Sequence, residues 1–419
     1  MELVVISFSF LRGGAAIAAS RFVSIARDLE LTVVNIRCVS QDGGCTYFHW
    51  AKRLFSFFVG FLQFDSNRVK HSLNLFTFPQ VAREFESNEN LLHLHWFNND
   101  TLGLARLKEL PAGSIVTLHD EWLYCGAEHY FNPLSDKLDF VLGYRFFSRR
   151  YLGFNVGYFV WRSKVRSLRE RKDIIFTVPS RWLLERAKSS VVLKSADIRL
   201  LPNPINTEQF SKASSSEISK FRRSFGLADD DCVIAFGAVG GKASYIKGGN
   251  LLDAALEMVT SRLIKLGKKL PKVINFGGRP EGWKKVFGLE TISLGHVDGA
   301  AKLALLYSSV DFVVVPSLVE AFGQVAAESL ACETPVVCFS GTGLSDVVVD
   351  GVTGLTALPY SVADLAEKIL QMINMNEIHR CEFGLRGRQH IVSSFSYPVV
   401  SALYKNIIED AVVLKGSRS

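Results

Sequence analysis

Two carboxylates, Glu320 and Glu328, stand eight residues apart around the small and aromatic stretch Ala321-Phe-Gly-Gln-Val-Ala-Ala327. A carboxylate accepts hydrogen bonds only, so such a pair suits the hydroxyls of a ribose or a hexose. Gly323 allows close backbone approach to a ligand, and the free N–H groups that open a helix suit a phosphate or a sugar hydroxyl. The alternative is a helix with one capping acid and one solvated acid, and spacing alone does not separate the two. Lys247 precedes Gly248-Gly249 and an apolar helix start, a place where an ammonium and a helix N-terminus together neutralise a diphosphate. The competing reading is a solvated loop lysine. Gly13-Gly14 follows the first apolar run and serves either a phosphate loop or any tight strand-to-helix turn. His119 ends the run Ile115–Leu118, as a ligand contact or as a structural hydrogen-bonder. Adjacency to Asp120 makes no dyad, because neighbouring side chains on a strand face opposite sides. His95-Trp96 ends another strand and is a secondary candidate for the same place.

These residues need a scaffold that delivers them to one edge. Phe312-Val-Val-Val315 precedes the acidic pair and Pro335-Val-Val-Cys-Phe339 follows it. The pattern predicts strand, loop, helix, strand, with Glu320 on the loop and Glu328 in the helix. An open α/β sheet binds ligands just beyond the carboxyl ends of its strands. Strands are predicted at Leu3–Ser7, Leu31–Arg37, Leu91–Leu94, Ser114–Leu118 and Ile174–Val178, with an Ala-rich helix after Gly13-Gly14. A second series runs Cys232–Gly237, Lys272–Phe276, Ile292–Leu294, Asp311–Val315 and Val336–Phe339. Alternation with helical stretches implies parallel βαβ units. Leu201-Pro-Asn-Pro-Ile-Asn206 breaks the series, since two prolines disfavour helix and fix an extended connection. For 419 residues, two α/β domains joined near 203–210 is the simple division. Residues 396–414 read as a terminal amphipathic helix with Val399, Val400, Leu403 and Ile407 on one face.

Composition narrows the classes. A net charge of +7 permits anionic partners without requiring them. The seven cysteines are scattered without a Cys-x-x-Cys pair, which argues against a zinc site or a disulfide framework and favours a reducing compartment. Met1-Glu-Leu-Val-Val-Ile-Ser puts an acid where a leader needs basic residues. The most apolar stretch, Leu54 to Phe64, is shorter than the ~20 residues that span a bilayer. The expectation is a soluble or peripherally attached protein. No G-x-G-x-x-G with an acid about 20 residues on is present, which lowers the case for a Rossmann-type NAD enzyme and leaves it as an open alternative. The segment 145–172 interleaves Arg145, Arg149, Arg150, Arg162, Lys164, Arg166, Arg169, Arg171 and Lys172 with aromatic residues. It reads as an anionic-membrane surface, a nucleic-acid surface, or the solvated face of a helix.

Glu320 to Glu328 resembles the E-x7-E signature of retaining glycosyltransferases of family 4, whose fold is GT-B: two Rossmann-like domains facing a cleft. Arg12-Gly-Gly-Ala-Ala is similar to that family's N-terminal glycine loop, and Leu201–Asn206 to its interdomain linker. Ile246-Lys-Gly-Gly-Asn-Leu-Leu is similar to its Lys-Gly element, and Asp350-Gly-Val-Thr-Gly-Leu355 to its Asp-Gly-x-x-Gly-Leu turn. Thr117-Leu-His-Asp-Glu-Trp122 with His129-Tyr130 resembles a subgroup that assembles bacterial surface polysaccharide. The resemblance implies an acceptor-binding domain over 1–203, a nucleotide-sugar domain over 204–395, and a helix over 396–419 that returns to the first. It implies transfer of a hexose-type sugar from a nucleoside diphosphate to a saccharide hydroxyl, lipid-linked in this subgroup, with retention at the anomeric carbon. Glu320 would orient the hexose, Glu328 the ribose, and Lys247 the diphosphate. His119 would meet the sugar near its C6 hydroxyl, and Gly14, Phe322 and Gly323 would complete the donor contacts. The family often carries an arginine shortly before the lysine; here Lys242 is the candidate in its place. No cofactor or metal is expected, since no Asp-x-Asp stands in a suitable context and the lysine carries the charge. Membrane contact through 145–172 fits a lipid-linked acceptor better than nucleic acid does, and a cytoplasmic location follows. A GT-B epimerase or hydrolase acting on the nucleotide-sugar alone stays open.

Overall fold

The computed structural model describes residues 2–417 apart from 12, 30–33, 40–46, 61–66, 68, 88, 133–134, 136–137, 148–154 and 238–243. Its strands follow the apolar runs. In the first half these are β1 (Leu3–Ser7), β2 (Val34–Cys38), β3 (Leu91–His95), β4 (Ile115–Thr117), β5 (Ile175–Val178) and β6 (Asp197–Leu200). They form one parallel sheet in the order β2-β1-β3-β4-β5-β6. In the second half β7 (Val233–Gly237), β8 (Lys272–Phe276), β9 (Pro280–Val286), β10 (Leu289–Leu294), β11 (Phe312–Val315), β12 (Val336–Phe339) and β13 (Gly354–Ala357) follow. Their order is β13-β12-β11-β7-β8-β10-β9, parallel except for the β9–β10 hairpin. Contacts divide the chain into two units, Met1–Pro204 with Val400–Ser419, and Ile205–Val399. Each is a Rossmann-like α/β domain.

The second sheet shows why β-branched runs become buried parallel strands. Successive side chains point to opposite faces, and both faces are covered. Val313, Val315, Val336 and Cys338 join the cluster that includes Ala326, Ala327 and Leu330 of the helix Gln324–Ala331. Phe312, Val314, Val337 and Phe339 pack on the other side with Leu252, Ala255 and Val259 of the helix Gly249–Lys265. A strand buried on both faces must be apolar at every position, which is how these strands read.

Three strands escape the sequence reading. The edge strand β9 is exposed along almost its whole length and carries Trp283, Lys284 and Lys285, so no apolar run marks it. The strands β6 and β13 are four residues each, and β13 continues from the Asp350–Leu355 turn. Strand β2 starts at Val34; residues 31–33 of the predicted run lie outside the described residues.

The terminal helix Tyr397–Gly416 buries Val400, Tyr404, Ile407, Ile408 and Ala411. Leu403, expected on the buried face, is 41% exposed, and Val399 is half-buried. The true face is set by its partners in the first unit: Tyr404 bonds His93 at 2.6 Å, and Lys415 reaches the carbonyl of Asn90 at 2.8 Å.

The basic segment also needs correction. Lys164, on the helix Val156–Leu168, is fully buried and is no part of a charged surface. Its ammonium donates to the carbonyls of Trp122, Gly126 (2.6 Å) and Cys125 (3.3 Å) and lies 3.6 Å from the centre of the Trp122 ring. Arg171 is likewise occupied, by Asp173 at 2.7 Å. Arg145, Arg162, Arg166, Arg169 and Lys172 remain exposed, as do the rings of Phe147 and Phe159, while Arg149 and Arg150 lie outside the described residues. Replacing Lys164 by Ala strands three buried carbonyls and opens a cavity. The expected loss is about 3 kcal/mol of unfolding free energy, read by urea titration; a loss below ~0.5 kcal/mol, the scale of an ordinary surface change, contradicts the burial.

Candidate active site

In the second sheet the chain leaves β7 in one direction toward β8 and β10 and later returns to β11 on its other side. That reversal is a topological switch point, where loops diverge and leave a crevice at the carboxyl ends of the strands. Lys247 closes a short 3-10 turn, Tyr245–Lys247, in the connection after β7, and Glu320 sits on the loop after β11. The backbone N–H of Leu318 donates to the carbonyl of Ile246 at 2.8 Å, stitching the two loops together. Across that stitch the Lys247 ammonium donates to Glu320 Oε1, and Ser317 Oγ donates to the same oxygen at 2.9 Å. The side chains stay partly accessible, 25% for Lys247 and 15% for Glu320. An ammonium carries three protons, so this one retains donors for an anion.

Backbone geometry makes the meeting possible. Gly248 has φ +66°, and a Cβ there would lie 1.9 Å from the carbonyl oxygen of Pro316. Only glycine lets the lysine turn pass this close to the glutamate loop. Gly323, at φ +104°, caps the helix Gln324–Ala331, and a Cβ on it would strike Leu344 at 2.4 Å. Glu328 lies within that helix, 6% exposed, where the Tyr307 hydroxyl donates to its Oε2 at 3.3 Å. Phe322 is buried, its ring edge-on to Phe395. Lys242 lies outside the described residues. Ser317 and Tyr307 are the polar partners that the sequence reading missed. A serine three residues before a loop glutamate is a local signal; the reach of Tyr307 from the helix Ala300–Ser308 has none.

Gly14 and His119 lie in the first unit. Gly13, at φ +94°, precedes the helix Gly14–Asp28 directly beyond β1. His119 follows β4 and does not pair with Asp120. Its Nε2 meets His95 Nδ1 at 2.9 Å, and His93, two residues before His95 on β3, bonds Tyr404 at 2.6 Å and Thr117 at 2.7 Å. Positions i and i+2 share a strand face, so the His93 and His95 rings lie tilted against each other, with centres 4.0 Å apart. Burial pushes the pKa of His119 down to about 4, that of His93 to about 3, and that of His95 well below the usual range. Three neutral imidazoles result. Asp120 turns the other way, to His129 Nδ1 at 2.6 Å, Trp96 Nε1 at 2.8 Å and the N–H of Trp122 at 3.0 Å. His129 Nε2 in turn meets Ser72 Oγ at 2.7 Å. His119, Asp120, Trp96, Asn98 and Trp122 line a small pocket at this edge. Among the described residues no three His, Cys, Asp or Glu side chains are placed to hold a metal ion, and no helix is long and apolar enough to cross a membrane.

The buried histidines predict a pH response. Unfolded, each binds a proton near pH ~6.5; folded, His119 does so only near about 4 and His93 near about 3. The unfolded state therefore holds more protons between these values, and stability falls as pH falls through that window. Each such histidine contributes up to about 1.4 kcal/mol per pH unit. Urea titrations from pH 7 to pH 5 are expected to show this decline, with a shallower slope in His93→Asn; equal slopes contradict it.

Residues 287–390 match the model of the family described as glycosyl transferases group 1. A D-inositol 3-phosphate glycosyltransferase of Actinosynnema mirum is 33% identical over 185 residues, 42% of this chain and 43% of that protein. The matches to the first curated relatives span 39% to 43% of those proteins' length. Sucrose-phosphate synthase from Thermosynechococcus elongatus matches with a TM-score of 0.67 at 16% identity, over 99% of this chain and 100% of that one. Anabaena Alr3699/HepE, solved in complex with UDP-glucose, matches with a TM-score of 0.61 at 17% identity, over 99% of this chain and 100% of that one. The chain thus has a GT-B fold of two Rossmann-like domains, and residues 287–390 of the second resemble group 1 glycosyl transferases.

Proposed function

We propose that the protein is a retaining glycosyltransferase that moves a hexose-type sugar from a nucleoside diphosphate to a hydroxyl of a lipid-linked saccharide, in bacterial surface-polysaccharide or lipopolysaccharide assembly. The observation that carries this reading is the Lys247–Glu320 pair at the β7/β11 switch point, a cation and a hydroxyl acceptor held side by side. The group 1 family match and the UDP-glucose bound by Anabaena HepE support a nucleotide-sugar donor. The surface-polysaccharide reading rests on the likeness of Thr117–Trp122 and His129-Tyr130 to that subgroup.

In the reaction the bond from the anomeric carbon to the diphosphate breaks while the acceptor oxygen attacks from the same face. The acceptor proton passes to the departing phosphate oxygen. Negative charge grows on the diphosphate, and the Lys247 ammonium with the N–H groups at the start of the helix Gly249–Lys265 stabilises it. Glu320 orients the hexose hydroxyls, with one oxygen already fixed by Lys247 and Ser317. Glu328 takes the ribose, Phe322 and Gly323 shape the donor loop, and Lys242 supplies a second phosphate contact. Gly14 and His119, in the first unit, are the further donor contacts that the family resemblance implies. Lys247 takes the place of a metal, so no cofactor is required. The exposed arginines of 145–172 attract an anionic membrane surface where a lipid-linked acceptor resides, on its cytoplasmic side.

Glu320→Ala and Lys247→Ala are each expected to lower transfer at least about 100-fold with unchanged circular dichroism, the scale of losing one charge-stabilising contact. Excess EDTA is expected to leave wild-type transfer intact. Near-wild-type activity in both variants overturns the site, and magnesium rescue after EDTA overturns the metal-free reaction.

A further inference from the structure

His95 is sealed from solvent, and its Nε2 has no hydrogen-bond partner among the described residues. Its other nitrogen, Nδ1, lies 2.9 Å from His119 Nε2, with the two rings within 26° of coplanar. Neutral imidazoles each carry one N–H and one lone pair, so a single proton occupies that contact. Which ring owns it decides what His119 shows to a ligand.

The surroundings decide it. Tyr404 Oη and Thr117 Oγ1 lie 2.6 and 2.7 Å from the two nitrogens of His93, and either hydroxyl can donate or accept, so both nitrogens are satisfied whichever carries the proton. His93 is thereby engaged at both nitrogens and offers His95 no hydrogen bond. At His95 Nε2, a buried N–H without an acceptor is less tolerable than a buried lone pair without a donor. The proton of His95 therefore belongs on Nδ1.

We propose that His95 is a positioning residue: it donates its Nδ1 proton to His119 Nε2 and so holds His119 as the Nδ1–H tautomer. His119 then presents an N–H donor to the pocket it lines with Trp96, Asn98 and Trp122. A donor there selects an acceptor oxygen, such as a sugar hydroxyl oxygen; this last step rests on the reading of His119 as the residue that meets the donor sugar. The strand geometry supplies the preorganisation, because His95 on β3 and His119 beyond β4 belong to adjacent strands. Hydrogen bonding at one ring nitrogen sets what the other presents.

The test is a long-range proton–nitrogen correlation spectrum of the full chain labelled on histidine, which distinguishes the two neutral tautomers ring by ring. Wild-type His119 is expected as Nδ1–H. In His95→Phe, which keeps a ring and removes both nitrogens, the donor that holds His119 is lost and transfer is expected to fall about tenfold, the worth of one hydrogen bond. His95→Asn, which restores an N–H near the Nδ1 position, is expected to recover most of that loss. Wild-type His119 found as Nε2–H overturns the proposal, as does a folded His95→Phe protein that transfers at the wild-type rate. The wild-type spectrum decides the matter even where His95→Phe does not fold. A protein with the Nδ1–H form that transfers no sugar overturns the proposed function and leaves the positioning role standing.

Discussion

The adjacency of β7 and β11 is the constraint on which the rest of the second domain's site depends. Parallel strands that are distant in sequence become neighbours only where the chain reverses its direction of travel across the sheet. Here that reversal brings the lysine turn and the glutamate loop within one backbone hydrogen bond of each other. Gly248 is the point of closest approach, and a side chain there would occupy the space of the Pro316 carbonyl. Fold and chemistry are linked through this contact: the sheet order fixes the loops, the loops fix the Lys247–Glu320 pair, and the pair supplies cation and acceptor together. A lysine pinned by a carboxylate is a preorganised charge that needs little rearrangement when an anion arrives.

The first domain follows a different rule. Its strand ends carry buried polar residues, most of which bond one another, His95 Nε2 being an exception. Glu121 accepts from Tyr124, Arg186 and the N–H of Phe131. Asp120 holds His129 and Trp96, and Lys164 gathers three carbonyls of the segment 122–126. Networks of this kind are costly unless complete, and when complete they fix one conformation. The loop that carries His119 is thus held by charged groups on one side and by neutral imidazoles on the other.

What the sequence disclosed follows from burial. Central strands such as β11 and β12 are covered on both faces and had to be apolar throughout, so they were legible. Strand β9 pairs on one edge only and is exposed, so its residues look like loop. The acidic pair and Lys247 were legible as candidates because glycine punctuation and position after apolar runs mark them. Their partners Ser317 and Tyr307 were not, since a hydrogen bond between distant segments leaves no local pattern. Lys164 was misread for the same reason: a basic residue among arginines looks solvated until the carbonyls that surround it are placed. Leu403 was assigned to the buried face from a rough helical phase, and the contacts of Tyr404 set the phase differently. The Asp120–His129 pairing joins residues nine apart through a turn that adjacency arguments do not foresee.

The central claim is that Lys247 recognises a diphosphate. Titration calorimetry of the wild-type protein and Lys247→Ala with UDP and UMP, and with the GDP and ADP pairs where UDP does not bind, tests it directly. The account predicts that the diphosphate binds at least about tenfold tighter than its monophosphate, a difference of about 1.4 kcal/mol, and that Lys247→Ala removes most of this gap. A gap that persists unchanged without the lysine, or wild-type binding that ignores the second phosphate, contradicts it.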